Sequence, residues 1–79
     1  MRALCMITVN PGSVDNVAKI LKKKRKTLKD IMTVTGRADI CILLQGSIDD
    51  INNSVFDLKK IKDILTTETM MEVEVNMGW

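Results

Sequence analysis

Two stretches of this chain are apolar in both alternations of an extended strand, and nothing else in it constrains the fold as much. In Ala3 to Val9, "ALCMITV", the residues Ala3, Cys5 and Ile7 alternate with Leu4 and Met6. In Ala38 to Gln45, "ADICILLQ", Ile40, Ile42 and Leu44 alternate with Cys41 and Leu43. Successive side chains of a strand point to opposite faces. Each stretch therefore puts apolar groups on both sides of a sheet and reads as one of its central strands.

The segments around them supply a cover for one side. "NPGS" at Asn10 to Ser13 breaks the chain after the first strand. Ser13 is the expected N-cap of a helix, with Asp15 in the first turn to meet the dipole. Val14, Val17, Ala18 and Leu21 share one helical face, and the block Lys22-Lys23-Lys24-Arg25-Lys26 closes the helix. Leu28 to Thr35, "LKDIMTVT", reads as a second strand, Gly36 and Arg37 as the turn, and Ala38 to Gln45 as the third strand. Gly46 punctuates it. Ser47 and Asp50 have the spacing of a capping box. Ile48, Ile51, Val55 and Leu58 then mark a second helix. Thr66 to Val75 alternates, with Thr67, Thr69, Met71, Val73 and Val75 against Glu68, Met70, Glu72 and Glu74.

The order β-α-β-β-α-β predicts an α+β, ferredoxin-like sandwich: a four-stranded antiparallel sheet with two helices on one face. A single domain is expected over residues 1–79, without repeats or linkers. Its other sheet face would remain apolar, which usually marks an interface. Size points the same way, because a domain of 79 residues has a small core. Metal is not expected to make up the difference. The chain has no histidine, and Cys5 and Cys41 form no Cys-x-x-Cys pair. A Cys5–Cys41 bridge stays open at this level, but the apolar setting of each favours free buried thiols and, with them, a cytoplasmic location. A partner chain is the remaining remedy. Met6, Met32, Met70 and Met71 are expected to fill core or interface.

Several function classes lack support. The net charge is only +2. The basic block is explained by a solvated helix end, and nucleic-acid readers on small sheets stack bases on aromatics. Phe56 and Trp79 are the only aromatics here, so no direct nucleic-acid partner is expected. No run reaches signal-peptide or membrane-spanning character, so no membrane partner is expected either. Catalysis lacks a histidine base, a cysteine with a basic neighbour or a glycine-rich phosphate loop. Asp49 and Asp50 are accounted for by helix-opening chemistry. No catalytic residue, cofactor or metal is expected.

"VTGRADI", Val34 to Ile40, carries two readings. Gly36 can simply supply a positive-φ turn before Asp39 opens a strand. Alternatively, turn amides receive a carboxylate while Asp39 takes an ammonium group, as one amino acid would require. Local chemistry leaves both open.

Over its whole length the chain resembles the effector-binding module, or RAM domain, of the Lrp/AsnC (feast/famine) transcription regulators. The matching stretches are "NPGSVDNVAKIL" as the first crossover, "VTGRADI" as the hairpin, and "IKDILTTETMME" leading into the last strand. Asp63 stands where the family pattern usually has glycine. Typical members also carry a helix-turn-helix before this module, and residues 1–79 begin directly at a strand, so the likeness is to stand-alone RAM proteins.

The resemblance implies a homo-oligomer: sheet-to-sheet dimers joined into a ring such as an octamer, with an amino acid or related effector bound between dimers. Thr35, Gly36, Arg37 and Ala38 would meet the effector's carboxylate and Asp39 its ammonium group. Thr67 and Thr69 would offer hydroxyls near the assembly surface. A full-length Lrp/AsnC regulator is then a candidate partner, with transcription modulated by co-assembly. Two other readings stand beside this one: an assembly protein whose pocket is vestigial, and another ferredoxin-like module, such as an ACT-type domain or a small enzyme.

Overall fold

The computed structural model describes residues 1–24 and 28–73. Six elements follow in order: β1 (Arg2–Val9), α1 (Val14–Lys23), β2 (Leu28–Thr33), β3 (Ile40–Gln45), α2 (Ile48–Lys59) and β4 (Ile64–Met71). The strands form one sheet in the order β2-β3-β1-β4, antiparallel throughout. This is the expected α+β, ferredoxin-like βαββαβ sandwich. Arg25 and Lys26 of the basic block, Glu74 and Val75 of the predicted last strand, and Trp79 lie outside the described residues.

Alternation decides which side chains meet the helices. Ala3, Cys5, Ile7 and Val9 of β1 join Ile40, Ile42 and Leu44 of β3 in a core with Val17, Ala18 and Leu21 of α1 and Ile51 and Leu58 of α2. The intervening residues take the opposite face, where cross-strand register aligns them in rows. One row runs Met32, Cys41, Met6, Glu68, and the next runs Asp30, Leu43, Leu4, Met70. None of these eight belongs to the helix-side core. Met32 and Met70 are about half exposed, at 51% and 46%. The sheet side away from the helices is therefore apolar across its middle, as the double alternation required.

Cys5 and Cys41 are both buried and free. Cys5 sits opposite Ile42 and Met6 opposite Cys41, so the two thiols emerge on opposite faces of adjacent strands and have no route to a bridge.

Local differences from the sequence pattern have identifiable causes. Ser13 occupies the N-cap of α1 without a side-chain capping bond; its own amide instead donates to the Asn10 carbonyl, 3.0 Å, within the NPGS turn. Ile48 shares the apolar spacing that marks α2 but is 56% exposed. It is the first helical residue, before Ile51, Val55 and Leu58 take up the core-facing stripe. β4 begins earlier than the alternation suggested. Val9 pairs with Ile64 and Thr8 with Thr66, so Leu65 is an extra residue in a bulge and lies exposed.

The entry to α2 is built as its sequence indicates. The Asp50 amide donates to Ser47 Oγ and the Ser47 amide donates to Asp50 Oδ2, both at 3.1 Å. Gly46 precedes this box with φ +156, and a Cβ there would lie 2.9 Å from the Asp50 Cβ. Only glycine leaves room for the box. Ser47→Ala removes one half of it and is expected to cost about 1 kcal/mol in urea unfolding.

Candidate functional site

The hairpin between β2 and β3 is wider than a two-residue turn. The Val34 amide donates to the Asp39 carbonyl at 2.9 Å, which encloses Thr35, Gly36, Arg37 and Ala38 as the loop. Gly36 adopts φ +107 at the tip, with nothing within 4 Å of where a Cβ would stand. Only glycine adopts such backbone at low cost. Thr35, Gly36 and Arg37 are exposed and Ala38 is buried.

Asp39 ties this loop to the end of β1. Its amide donates to the Ile7 carbonyl at 2.9 Å, and its Oδ2 accepts from the Val9 amide at 2.9 Å. The carboxylate thus replaces a strand partner for Val9, where β3 no longer continues. Its Oδ1 has no donor among the described residues. The sequence suggests a turn residue or an ammonium ligand, and the geometry adds a third role: a latch between segments 30 residues apart.

Thr67 and Thr69 lie on the other side of β1. Ile7 pairs with Ile40 on one flank and with Thr67 on the other. Two strand spacings, about 10 Å, therefore separate the hairpin's end of β3 from Thr67. Both threonines share a sheet face with the helices. The Thr69 hydroxyl donates to Cys5 Sγ at 3.4 Å. Burial raises the Cys5 thiol pKa, and the approach of Thr69 offsets that only in part. Within one chain, then, Thr35 to Asp39 form one cluster and the two threonines a second, both near β1.

The Asp63 position needs no glycine. No non-glycine residue among those described has positive φ. The Asn10 amide donates to the Asp63 carbonyl at 2.9 Å, and Asn10 Nδ2 donates to Asp63 Oδ1 at 3.3 Å. These bonds fasten the start of β4 to the end of β1, the same sheet end as the hairpin.

At the opposite sheet end, between α1 and α2, a cleft of about 550 Å³ opens over Leu28 and Leu44. Its walls come from positions some 30 residues apart in sequence, and no spacing in the chain signals them. Among the described residues, no group of three histidine, cysteine or acidic side chains is placed to hold a metal ion. No described helix is long and apolar enough to cross a membrane.

No family model matches the chain. No curated protein matches it in sequence. Solved structures do share its fold. TTHA0845 from Thermus thermophilus superposes with a TM-score of 0.84 at 16% identity, covering 95% of each chain. AsnC from E. coli gives 0.74 at 19% identity, covering 96% of this chain and 52% of AsnC. The transcriptional regulator NMB0573 from Neisseria meningitidis, solved as its L-Met complex, gives 0.72 at 11% identity, with coverage of 99% and 55%. At these identities the likeness is one of fold, and the fold shared with AsnC is the one that the sequence resemblance implied.

Proposed function

We propose that this chain is a non-catalytic effector-binding module of Lrp/AsnC type that pairs through its open sheet face. One observation carries the reading: on a fold shared with AsnC, Leu4, Met6, Met32, Leu43 and Met70 line the sheet side that no helix covers. Facing a second copy, these side chains leave water, and two small cores become one larger one. Dimers then associate further into a ring such as an octamer. The exposed loop tip and Asp39 Oδ1 receive an amino acid between dimers, with Thr67 and Thr69 supplied from the neighbouring edge. Co-assembly with a full-length regulator is the route by which such a module alters transcription. The L-Met complex of NMB0573, a protein of the same fold, supports an amino acid as the effector class.

A thermal-shift screen across the amino acids tests the ligand half of the reading. A ligand at 100 times its dissociation constant stabilises by about 2.7 kcal/mol. Asp39→Asn keeps an acceptor for the Val9 amide and removes the charge that holds an ammonium group. It is expected to keep most of its melting temperature and lose the ligand shift. Asp39→Ala is the harsher variant, because it leaves the amide of buried Val9 unpaired at a cost of about 1–3 kcal/mol.

One observation favours a second reading, an assembly protein of the same fold with no working ligand pocket. The Asp39 carboxylate already serves Val9. On that reading no amino acid moves the melting temperature, and Asp39→Asn changes nothing.

A further inference from the structure

The methionines are not spread evenly over the fold. Among the described residues, the helix-side core is built from Ile, Leu, Val, Ala and Cys side chains and holds no methionine. The open sheet face is different: beside Leu4 and Leu43 it carries Met6, Met32 and Met70. Met32 on β2 and Met70 on β4 stand out from it, at 51% and 46% exposure, while Leu4, Met6 and Leu43 between them are only partly exposed. For apolar contact alone, leucine would serve these positions as well as methionine. What methionine adds is chemistry, because its thioether takes up one oxygen atom and becomes a polar sulfoxide. Cys41 shares a row with Met32 and Met6 but is only 8% exposed, which leaves the two edge-strand thioethers as the accessible sulfur.

We propose that oxidation of Met32 and Met70 by a hydroperoxide separates the paired chains, so that the open face is a reversible, peroxide-sensitive contact. The inference rests on the sheet-to-sheet pairing proposed above and concerns its regulation. In the step, the thioether sulfur attacks one peroxide oxygen. An S–O bond forms as the O–O bond breaks, and sulfur gives up two electrons. The departing oxygen takes the proton of the transferred hydroxyl and, from hydrogen peroxide, leaves as water. Against a second copy, each sulfoxide oxygen would be enclosed by apolar side chains with no donor. A two-fold contact repeats that loss in both copies. The core without methionine is untouched, so the separated chains keep their fold.

The test is sedimentation of the full chain before and after hydrogen peroxide, with the oxidised residues located by peptide mass. The untreated chain should pair at micromolar concentration. The chain oxidised at Met32 and Met70 should pair about a hundredfold or more weakly, with native circular dichroism. Methionine sulfoxide reductases for both epimers, supplied with dithiothreitol, should restore pairing where dithiothreitol alone does not. The double replacement Met32→Leu and Met70→Leu should pair like the parent and stay paired after the same treatment; should that variant fold poorly, the reductase arm decides. Three results overturn the inference and leave the pairing standing: a chain oxidised at both residues that pairs like the untreated one, pairing restored by dithiothreitol alone, which assigns the effect to Cys41, or a leucine variant that separates as the parent does. An untreated chain that stays single at every concentration overturns the pairing and this inference together.

Discussion

Leu43→Asp is expected to convert the proposed assembly into monomers without unfolding the chain. Leu43 lies between Asp30 and Leu4 in a row on the sheet face away from the helices. A carboxylate there leaves the helix-side core intact, because that core is drawn from the other alternation. Against a second copy the new charge would be desolvated, at a cost of about 3 kcal/mol or more. A two-fold interface repeats every change in both copies. About 6 kcal/mol corresponds to roughly a ten-thousandfold loss of affinity. Neighbouring Asp30 adds like-charge repulsion. Sedimentation at micromolar concentration checks this: the variant should run as a single chain with native circular dichroism. A variant that still associates like the parent would place the interface elsewhere.

The second large effect is on folding itself. Ile7 is fully buried at the centre of the sheet, opposite Ile40 on one side and Thr67 on the other. Ile7→Ala removes buried methyl groups and leaves a cavity, at a cost of about 2–5 kcal/mol. A chain of this size holds roughly 4–12 kcal/mol of stability in total, taking about 0.05–0.15 kcal/mol per residue. The substitution is therefore expected to remove a large share of it and to move the urea midpoint down sharply. If the folded form is sustained by pairing, the midpoint of either protein should also rise with protein concentration. Ile7→Ala behaving like a surface change, within about 0.5 kcal/mol, would contradict the assignment of faces.

These two residues show what the sequence makes legible and why. Alternation in β1 and β3 separates two apolar sets, and a strand's period of two guarantees that they face opposite ways. The element order then fixes both helices on one face. The sequence does not say which set meets the helices; Ile7 and Leu43 become different kinds of residue only once that is known. Termini and turns are less legible because their bonds are made at long range. The two-residue turn read at Gly36-Arg37 is a four-residue loop, closed by Val34 and Asp39. The role of Asp39 depends on Val9, 30 residues away. The bulge at Leu65 follows from register against β1 and leaves only an unbroken alternation in the sequence.

The candidate site divides along the same line. Gly36 at a positive-φ tip is a local property and could be read from the sequence. That Thr67 and Thr69 share one face follows from alternation. That this is the helix side follows only from their register against Cys5 and Ile7, and the use of the Thr69 hydroxyl on Cys5 is not legible either. The cleft between the helices was not legible at all. It arises from the gap between Lys24 and the middle of α2, and no local pattern records a gap.

The proposed pairing of open sheet faces underlies both the proposed assembly and the proposed hairpin site, and the solution mass of the unaltered chain tests it most directly. Light scattering on the eluting protein at micromolar concentration should return an even multiple of the 8.9 kDa chain mass. A single 8.9 kDa species, unchanged as concentration rises, would mean that the apolar face stands in water without a partner, and the account would fail.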